Sequence, residues 1–103
     1  MTPNKEDYLK CIYEIGMEFP KVTNKEIAAR MQVSPPAVTE MIKRMQAENL
    51  ILKDKKKGYL VTDIGLKLVS ELYRKHRLIE VFLVHHLDYT SDQIHEEAAV
   101  LAH

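Results

Sequence analysis

His76 and Glu80 stand four residues apart in the stretch YRKHRLIE, so on an α-helix both side chains leave from one face. Nearer the end of the sequence His95 and His103 bracket two helical turns, with position 99 midway between them, and Asp7 lies in the first periodic segment. Imidazole combined with carboxylate suits a divalent first-row ion such as Mn, Fe or Zn, and a predominance of carboxylate tips the balance toward the harder ions. Asp7 can join such a set if the helices carrying these residues converge. Taken singly, each is more readily a surface residue: His76, flanked by Arg74, Lys75 and Arg77, reads as part of a solvated basic face. His85-His86 is a poorer pair, because adjacent helical residues point about 100° apart.

A second group of residues suits a polyanion. Lys53, Lys55, Lys56 and Lys57 cluster around Gly58, with Tyr59 following, and Lys43 and Arg44 lie a short distance upstream. Before them stands Val33-Ser34-Pro35-Pro36-Ala37, small residues at the start of an apolar-periodic run. Small side chains let a backbone approach a duplex closely. Ser34 and Thr39 can bond phosphate or base edges, Pro36 and Ala37 can touch thymine methyl groups, and the lysines and Arg44 suit phosphates. Each feature alone is unremarkable, since Ser-Pro is a good helix start and a lysine run is commonly a solvated turn.

The elements that must position these residues follow from period and caps. A first helix is expected over about Asn4–Met17, with Tyr8, Cys11, Ile12 and Ile15 facing inward and Phe19-Pro20 ending it. Thr23-Asn24-Lys25-Glu26 is a capping box opening a short helix with Ile27, Ala28 and Met31 inside. After the turn Gln32-Val33-Ser34, Ser34 caps a third helix with Pro35 at its first position, where a missing N–H costs nothing. Val38, Met41, Ile42 and Met45 form its apolar stripe, which leaves Ser34, Pro36, Ala37, Thr39, Glu40 and Lys43 on the outer face. Leu50–Lys53 and Tyr59–Thr62 then read as a hairpin with a basic tip. Thr62 or Asp63 caps a long helix to about Leu87, inward through Leu68, Val69, Leu72, Ile79 and Phe82, and a last helix follows Thr90 or Ser91. Helix, capped short helix, tight turn, helix and basic hairpin make a winged helix-turn-helix, mainly α with a small β-hairpin. The expected division is 1–62 for the DNA-binding domain and 63–103 for the long helix and a partial dimerisation and metal-binding domain.

Composition narrows the class. The 103 residues carry 15 basic and 15 acidic side chains, so bulk charge does not mark a nucleic-acid binder, but the distribution is uneven. Residues 1–62 hold 11 Lys/Arg against 8 Asp/Glu, and residues 63–103 hold 4 against 7. One cysteine, Cys11, excludes an internal disulfide framework and suits a reducing compartment. No signal peptide and no long uncharged apolar run is present, so a cytoplasmic protein is expected. A nucleophile–base pair, a glycine-rich phosphate loop and a Cys-x-x-Cys motif are all missing, so an enzyme is not expected.

The stretches NKEDYLKCIYEIG, NKEIAARMQVSPPAVTEMIKRM, GYLVTDIGLKLVSELYRKHRLIEVFLVHHL and IHEEA resemble the metal-dependent repressors of the diphtheria-toxin-repressor family, particularly the manganese-responsive regulators of streptococci. The resemblance covers essentially the whole chain. Members of that branch are about twice as long, so an N-terminal fragment is expected. The resemblance implies a double-stranded DNA operator as partner, a homodimer in the full-length protein, and Mn²⁺ as cofactor, with Fe²⁺ or Zn²⁺ as alternatives. It places Asp7, His76 and His103 on regulatory-site ligand positions and groups His76 with Glu80 and His95 at a neighbouring site. Positions 99 and 102, where such proteins carry further ligands, are Ala99 and Ala102 here. Alanine offers no donor atom, so weakened metal binding is expected. The competing readings are a winged-helix protein-interaction module and a winged-helix regulator that answers to a small organic ligand.

Overall fold

The computed structural model describes residues 3–86. Its elements run α1(Lys5–Glu18), α2(Asn24–Met31), α3(Pro35–Ala47), β1(Ile51–Asp54), β2(Gly58–Val61) and α4(Asp63–His86). The chain forms two compact units, Met1–Val69 and Ser70–His103, so the boundary falls inside α4.

Local chemistry sets where each helix of the first unit begins and ends. Asn4 caps α1 through a reciprocal box: the Asp7 N–H donates to Asn4 Oδ1 at 2.9 Å, and the Asn4 N–H donates to Asp7 Oδ2 at 3.0 Å. At α2 only half of the expected box forms. Thr23 Oγ1 accepts from the Glu26 N–H at 3.2 Å, whereas the Glu26 carboxylate accepts from Arg30 Nε one turn on, also at 3.2 Å. A guanidinium is a stronger partner for a carboxylate than a neutral amide, which accounts for the difference. Gln32 ends α2 in the left-handed region at φ 55°, and Asn49 does the same after α3 at φ 61°. Asn tolerates that conformation better than most residues.

The core of this unit is the junction of three helices with the hairpin. Leu9, Ile12 and Ile15 of α1, Ile27 of α2, and Val38, Ile42 and Met45 of α3 are buried together with Val22, Leu50, Ile51 and Val69. Each such aliphatic side chain contributes about 1.5–3 kcal/mol on leaving water. Met31 and Met41, expected inside, are only half-buried. Cys11 is 7% exposed, and burial pushes its thiol up to about 11, which keeps it protonated and unreactive at neutral pH.

The strands pair antiparallel with Ile51 opposite Val61 and Asp54 opposite Gly58. A contact outside the hairpin ties them to the α1–α2 connection. Val22 forms a parallel bridge with Gly58: its N–H donates to Lys57 O at 2.9 Å, and its carbonyl accepts from the Tyr59 N–H at 3.1 Å. At the other end Thr62 Oγ1 donates to Asn49 O at 2.6 Å and accepts from the Gly65 N–H at 3.1 Å, capping α4. A β-carbon at position 65 would stand 2.3 Å from Leu50 O, so glycine is required where α4 starts against the hairpin.

Along α4 the covered face differs from the expected one. Val69 and Leu83 are buried and Leu72 and Ile79 half-buried, while Leu68 and Phe82 are 40% and 50% exposed. The covered residues 69, 72, 73, 76, 79, 80 and 83 repeat every three and four positions, the broad stripe of an amphipathic helix. The expected stripe, through Leu68 and Phe82, is displaced to one side of this face, whose other flank is covered through Tyr73 and Glu80. His76 lies on this covered face rather than on a solvated basic one.

Candidate nucleic-acid interface

Every residue expected to meet DNA lies in the first unit. Ser34 caps α3, its Oγ accepting from the Ala37 N–H at 3.3 Å, and Pro35 occupies the first helical position as expected. With Val38, Ile42 and Met45 turned into the core, the opposite face is open. Pro35, Pro36, Thr39, Glu40 and Lys43 line one shallow concavity there, with Ser34 and Arg44 exposed beside it and Ala37 half-buried. The geometry is that of a helix offering its N-terminal residues outward, which a major groove accommodates.

One residue in this face differs from expectation. The Thr39 hydroxyl is engaged inside the protein: Oγ1 donates to Pro35 O at 3.2 Å and accepts from Asn24 Nδ2 at 3.0 Å. Asn24 stands at the start of α2, so this bond spans the two helices of the helix-turn-helix. No local sequence signal marks a pair fifteen residues apart. Ser34, by contrast, uses only an acceptor lone pair in its cap and keeps its hydroxyl proton for a phosphate or base.

The hairpin tip is built around Asp54. Its Oδ2 accepts from the Lys56 N–H at 2.8 Å and the Lys57 N–H at 2.7 Å, which folds the turn and leaves the Lys55, Lys56 and Lys57 side chains exposed. The Asp-Lys-Lys-Lys-Gly pattern carried that signal, because aspartate bonding backbone amides two and three residues on is a recognised turn former. Lys53 Nζ lies 5.6 Å from the centre of the half-buried Tyr59 ring, so the ring supports a cation at the base of the flap. Arg30 is committed elsewhere: it pairs with Glu18 and Glu26 and lies 5.4 Å from the Phe19 ring.

The two amide bonds hold the Asp54 carboxyl below its usual value of 3.8. A depressed pKa means that the ionised form is favoured by the folded tip. That contribution is complete above the unfolded value and is lost as pH falls below it through the folded one. Protection of the Lys56 and Lys57 amides, their exchange rate relative to that of an unstructured peptide at the same pH, is therefore expected to be present at neutral pH and to be lost as pH falls below about 4. In Asp54→Ala that protection should be missing at every pH. Protection in the native chain that does not fall in acid would remove this role for Asp54.

The candidate metal ligands are placed as follows. Asp7 sits in the first unit, with one carboxylate oxygen in the α1 capping box. In the second unit His76 Nε2 and Glu80 Oε1 are 2.8 Å apart, with side chains 14% and 31% exposed. Two donors bound side by side to one ion at about 2.0–2.2 Å stand roughly 3 Å apart, so this nitrogen–oxygen pair fits a Mn, Fe or Zn ion in both chemistry and spacing. Among the described residues no group of three or more His, Cys, Asp or Glu side chains is assembled to hold an ion. His95, Ala99, Ala102 and His103, with the helix expected to carry them, lie outside the described residues, as do the side chains of His85 and His86. Among the described residues no helix is long and apolar enough to cross a membrane.

Comparison with known proteins places the chain in a family. Residues 1–59 match the iron dependent repressor N-terminal DNA binding domain, and residues 62–103 match the iron dependent repressor metal binding and dimerisation domain. The chain is 32% identical over 82 residues to the HTH-type transcriptional regulator MntR of Bacillus velezensis, covering 80% of this chain and 58% of that protein. It is 31% identical over its full 103 residues to the diphtheria toxin repressor of Corynebacterium diphtheriae, 46% of whose length is matched. Among solved structures it resembles ScaR with bound Zn²⁺, at 74% identity and TM-score 0.90 over 98% of this chain and 47% of that one. The apo form, described as the manganese-activated repressor ScaR, matches at 73% identity and TM-score 0.86 over 94% of this chain and 46% of that one. The chain thus spans about half the length of these relatives. With both of its halves matched and its winged helix-turn-helix in place, the chain belongs to the iron-dependent repressor family.

Proposed function

We propose that this chain is the DNA-binding and metal-sensing part of a manganese-responsive transcriptional repressor of metal-uptake genes, acting as a homodimer inside the cell and not as an enzyme. The observation that carries the reading is the joint exposure, within one unit, of the proline-started face of α3 and the lysine-tipped hairpin. The α3 face enters the major groove. Ser34, Lys43, Arg44, Lys53, Lys55, Lys56 and Lys57 bind phosphates, and Pro35, Pro36, Ala37, Thr39 and Glu40 meet base edges, with Tyr59 supporting the flap. Two copies side by side match two half-sites about one helical turn apart.

On the sensing side, His76 and Glu80 are the pair whose chemistry and spacing fit an ion, and His95 and His103 join them as ligands in this reading. Asp7 is included on the family resemblance alone. A bound cation would act as corepressor, raising the population of the DNA-competent arrangement without taking part in any reaction. Because Ala99 and Ala102 supply no donors, we expect this sequence to answer weakly to metal. In support of manganese, the solved repressor ScaR, 73% identical to this chain, is described as manganese-activated.

The test is duplex binding by the intact protein with and without Mn²⁺, beside a double variant Ala99→Glu with Ala102→Glu. Metal should change the affinity of the unaltered protein by less than about threefold. The double variant should gain tenfold or more, within the usual range of about 5–150-fold for an allosteric effector. A gain in the unaltered protein equal to that of the double variant would sink the weakened-site reading. Binding that does not fall with rising salt would sink the DNA reading.

A further inference from the structure

The engaged hydroxyl of Thr39 has a consequence for which base the α3 face can select. A threonine hydroxyl has one proton and two lone pairs. Here the proton goes to Pro35 O and one lone pair takes the Asn24 amide, leaving nothing to donate to a base. The conclusion does not depend on which way the Asn24 amide faces. In the orientation given, Nδ2 meets Thr39 and Oδ1 is buried without a partner. In the reverse orientation Thr39 would donate to Oδ1, and the proton is again spent inside the protein. Yet Thr39 is exposed and lines the same concavity as the rings of Pro35 and Pro36. With its oxygen drawn back toward α2 and the preceding turn, what Thr39 offers a visitor is mainly its methyl group, next to two apolar rings.

We propose that Thr39 is a specificity-determining residue that reads the 5-methyl group of a thymine through its own methyl, and that Asn24 is the positioning residue that holds it in this rotamer. Thymine is the one base with an apolar group on its major-groove edge. A guanine or a thymine O4 needs a donor, which Thr39 does not have to give. This inference rests on the reading of α3 as the helix in the groove. It assigns the Thr39–Asn24 pair a role that neither residue type nor spacing discloses.

Three variants and one modified DNA test it. A duplex is first selected from a random pool with the intact protein, and each thymine under α3 is then replaced singly by deoxyuridine, which removes only the methyl group. One thymine should prove sensitive, with affinity falling about fourfold, the amount expected for one buried methyl-sized group at about 0.8 kcal/mol. Thr39→Val, which carries a methyl at both branch positions in one strongly preferred helical rotamer and so needs no hydroxyl hold, should bind the thymine duplex nearly as well as the unaltered protein and keep its sensitivity to uridine. Thr39→Ser should lose about fourfold on thymine and nothing further on uridine, the non-additivity that marks direct contact. Asn24→Ala should lower the thymine-over-uridine ratio toward about twofold while the salt slope stays unchanged, a pattern that a general loss of folding would not give. Melting curves of all variants accompany the binding data.

The reverse order, with Thr39→Ser binding as the unaltered protein does and Thr39→Val failing while still folded, would make the hydroxyl the reader and overturn the proposal. Salt-dependent duplex binding indifferent to Thr39 and to every uridine would overturn it as well, leaving the DNA reading intact. If no duplex is bound in a salt-dependent way by any form of the protein, both fail together.

Discussion

Replacing Gly58 with alanine is expected to lower the unfolding free energy by about 3 kcal/mol or more, a large share of the stability of a unit this small. Two causes act at once. Gly58 has φ +76°, a conformation L side chains rarely adopt, and a β-carbon there would lie 2.0 Å from the carbonyl oxygen of Val22. That oxygen belongs to backbone and cannot swing aside as the end of a flexible side chain would. The parallel bridge must therefore open, and with it the bonds from Val22 N to Lys57 O and from Tyr59 N to Val22 O. Denaturant unfolding gives the loss in stability, and faster amide exchange at Val22 and Tyr59 locates it. Gly58→Asn separates the causes, because asparagine accepts positive φ but brings the same β-carbon. We expect it to be nearly as damaging as alanine. A stable Gly58→Asn protein would show that φ alone was the constraint and that Val22 can yield.

Neutralising the flap, by Lys55→Gln, Lys56→Gln and Lys57→Gln together, should cost DNA affinity without costing the fold. The three side chains are exposed, and the turn is held by Asp54 through backbone amides, so the flap keeps its shape. Each lysine on a phosphate releases about 0.9 counterion, so at ~0.15 M salt three contacts are worth about 100-fold per copy of the chain. The slope of log affinity against log salt should become shallower by about 3 per copy. Because phosphate carries no base identity, the loss should be nearly equal on selected and random duplexes. A loss confined to the selected duplex would instead make the flap a base reader. Unchanged affinity and slope would mean that the flap does not touch DNA.

These two outcomes separate what could be read along the chain from what could not. The caps at Thr23, Ser34 and Thr62, the proline start of α3, its apolar stripe and the basic hairpin follow from neighbours within a few residues, where backbone chemistry and periodicity act. They appear where expected, within a residue or two. The Asn4–Asp7 box and the Asp54 turn are equally local and equally legible, but Asp7 reads first as a candidate metal ligand and Asp54 is passed over beside the lysines of the tip. The family resemblance was likewise a property of the linear pattern, and it extended over both halves of the chain.

Tertiary structure decided the rest, because those features depend on residues distant in sequence that arrive at one place. Val22 meets Gly58 across thirty-six positions to anchor the flap, and Asn24 meets Thr39 across fifteen to lock the reading face. Both depend on how α2 and the hairpin are set against α1 and α3, which no periodicity encodes. The covered face of α4 carries the same lesson: several stripes of that helix are apolar enough to be buried, and packing alone selected the one that includes His76. Sequence by itself determined which elements exist, where they begin and which family they belong to, since short-range caps and patterns settle those locally. Only the folded chain decided which polar groups remain free to meet a ligand, since that depends on the bonds each has already made within the protein.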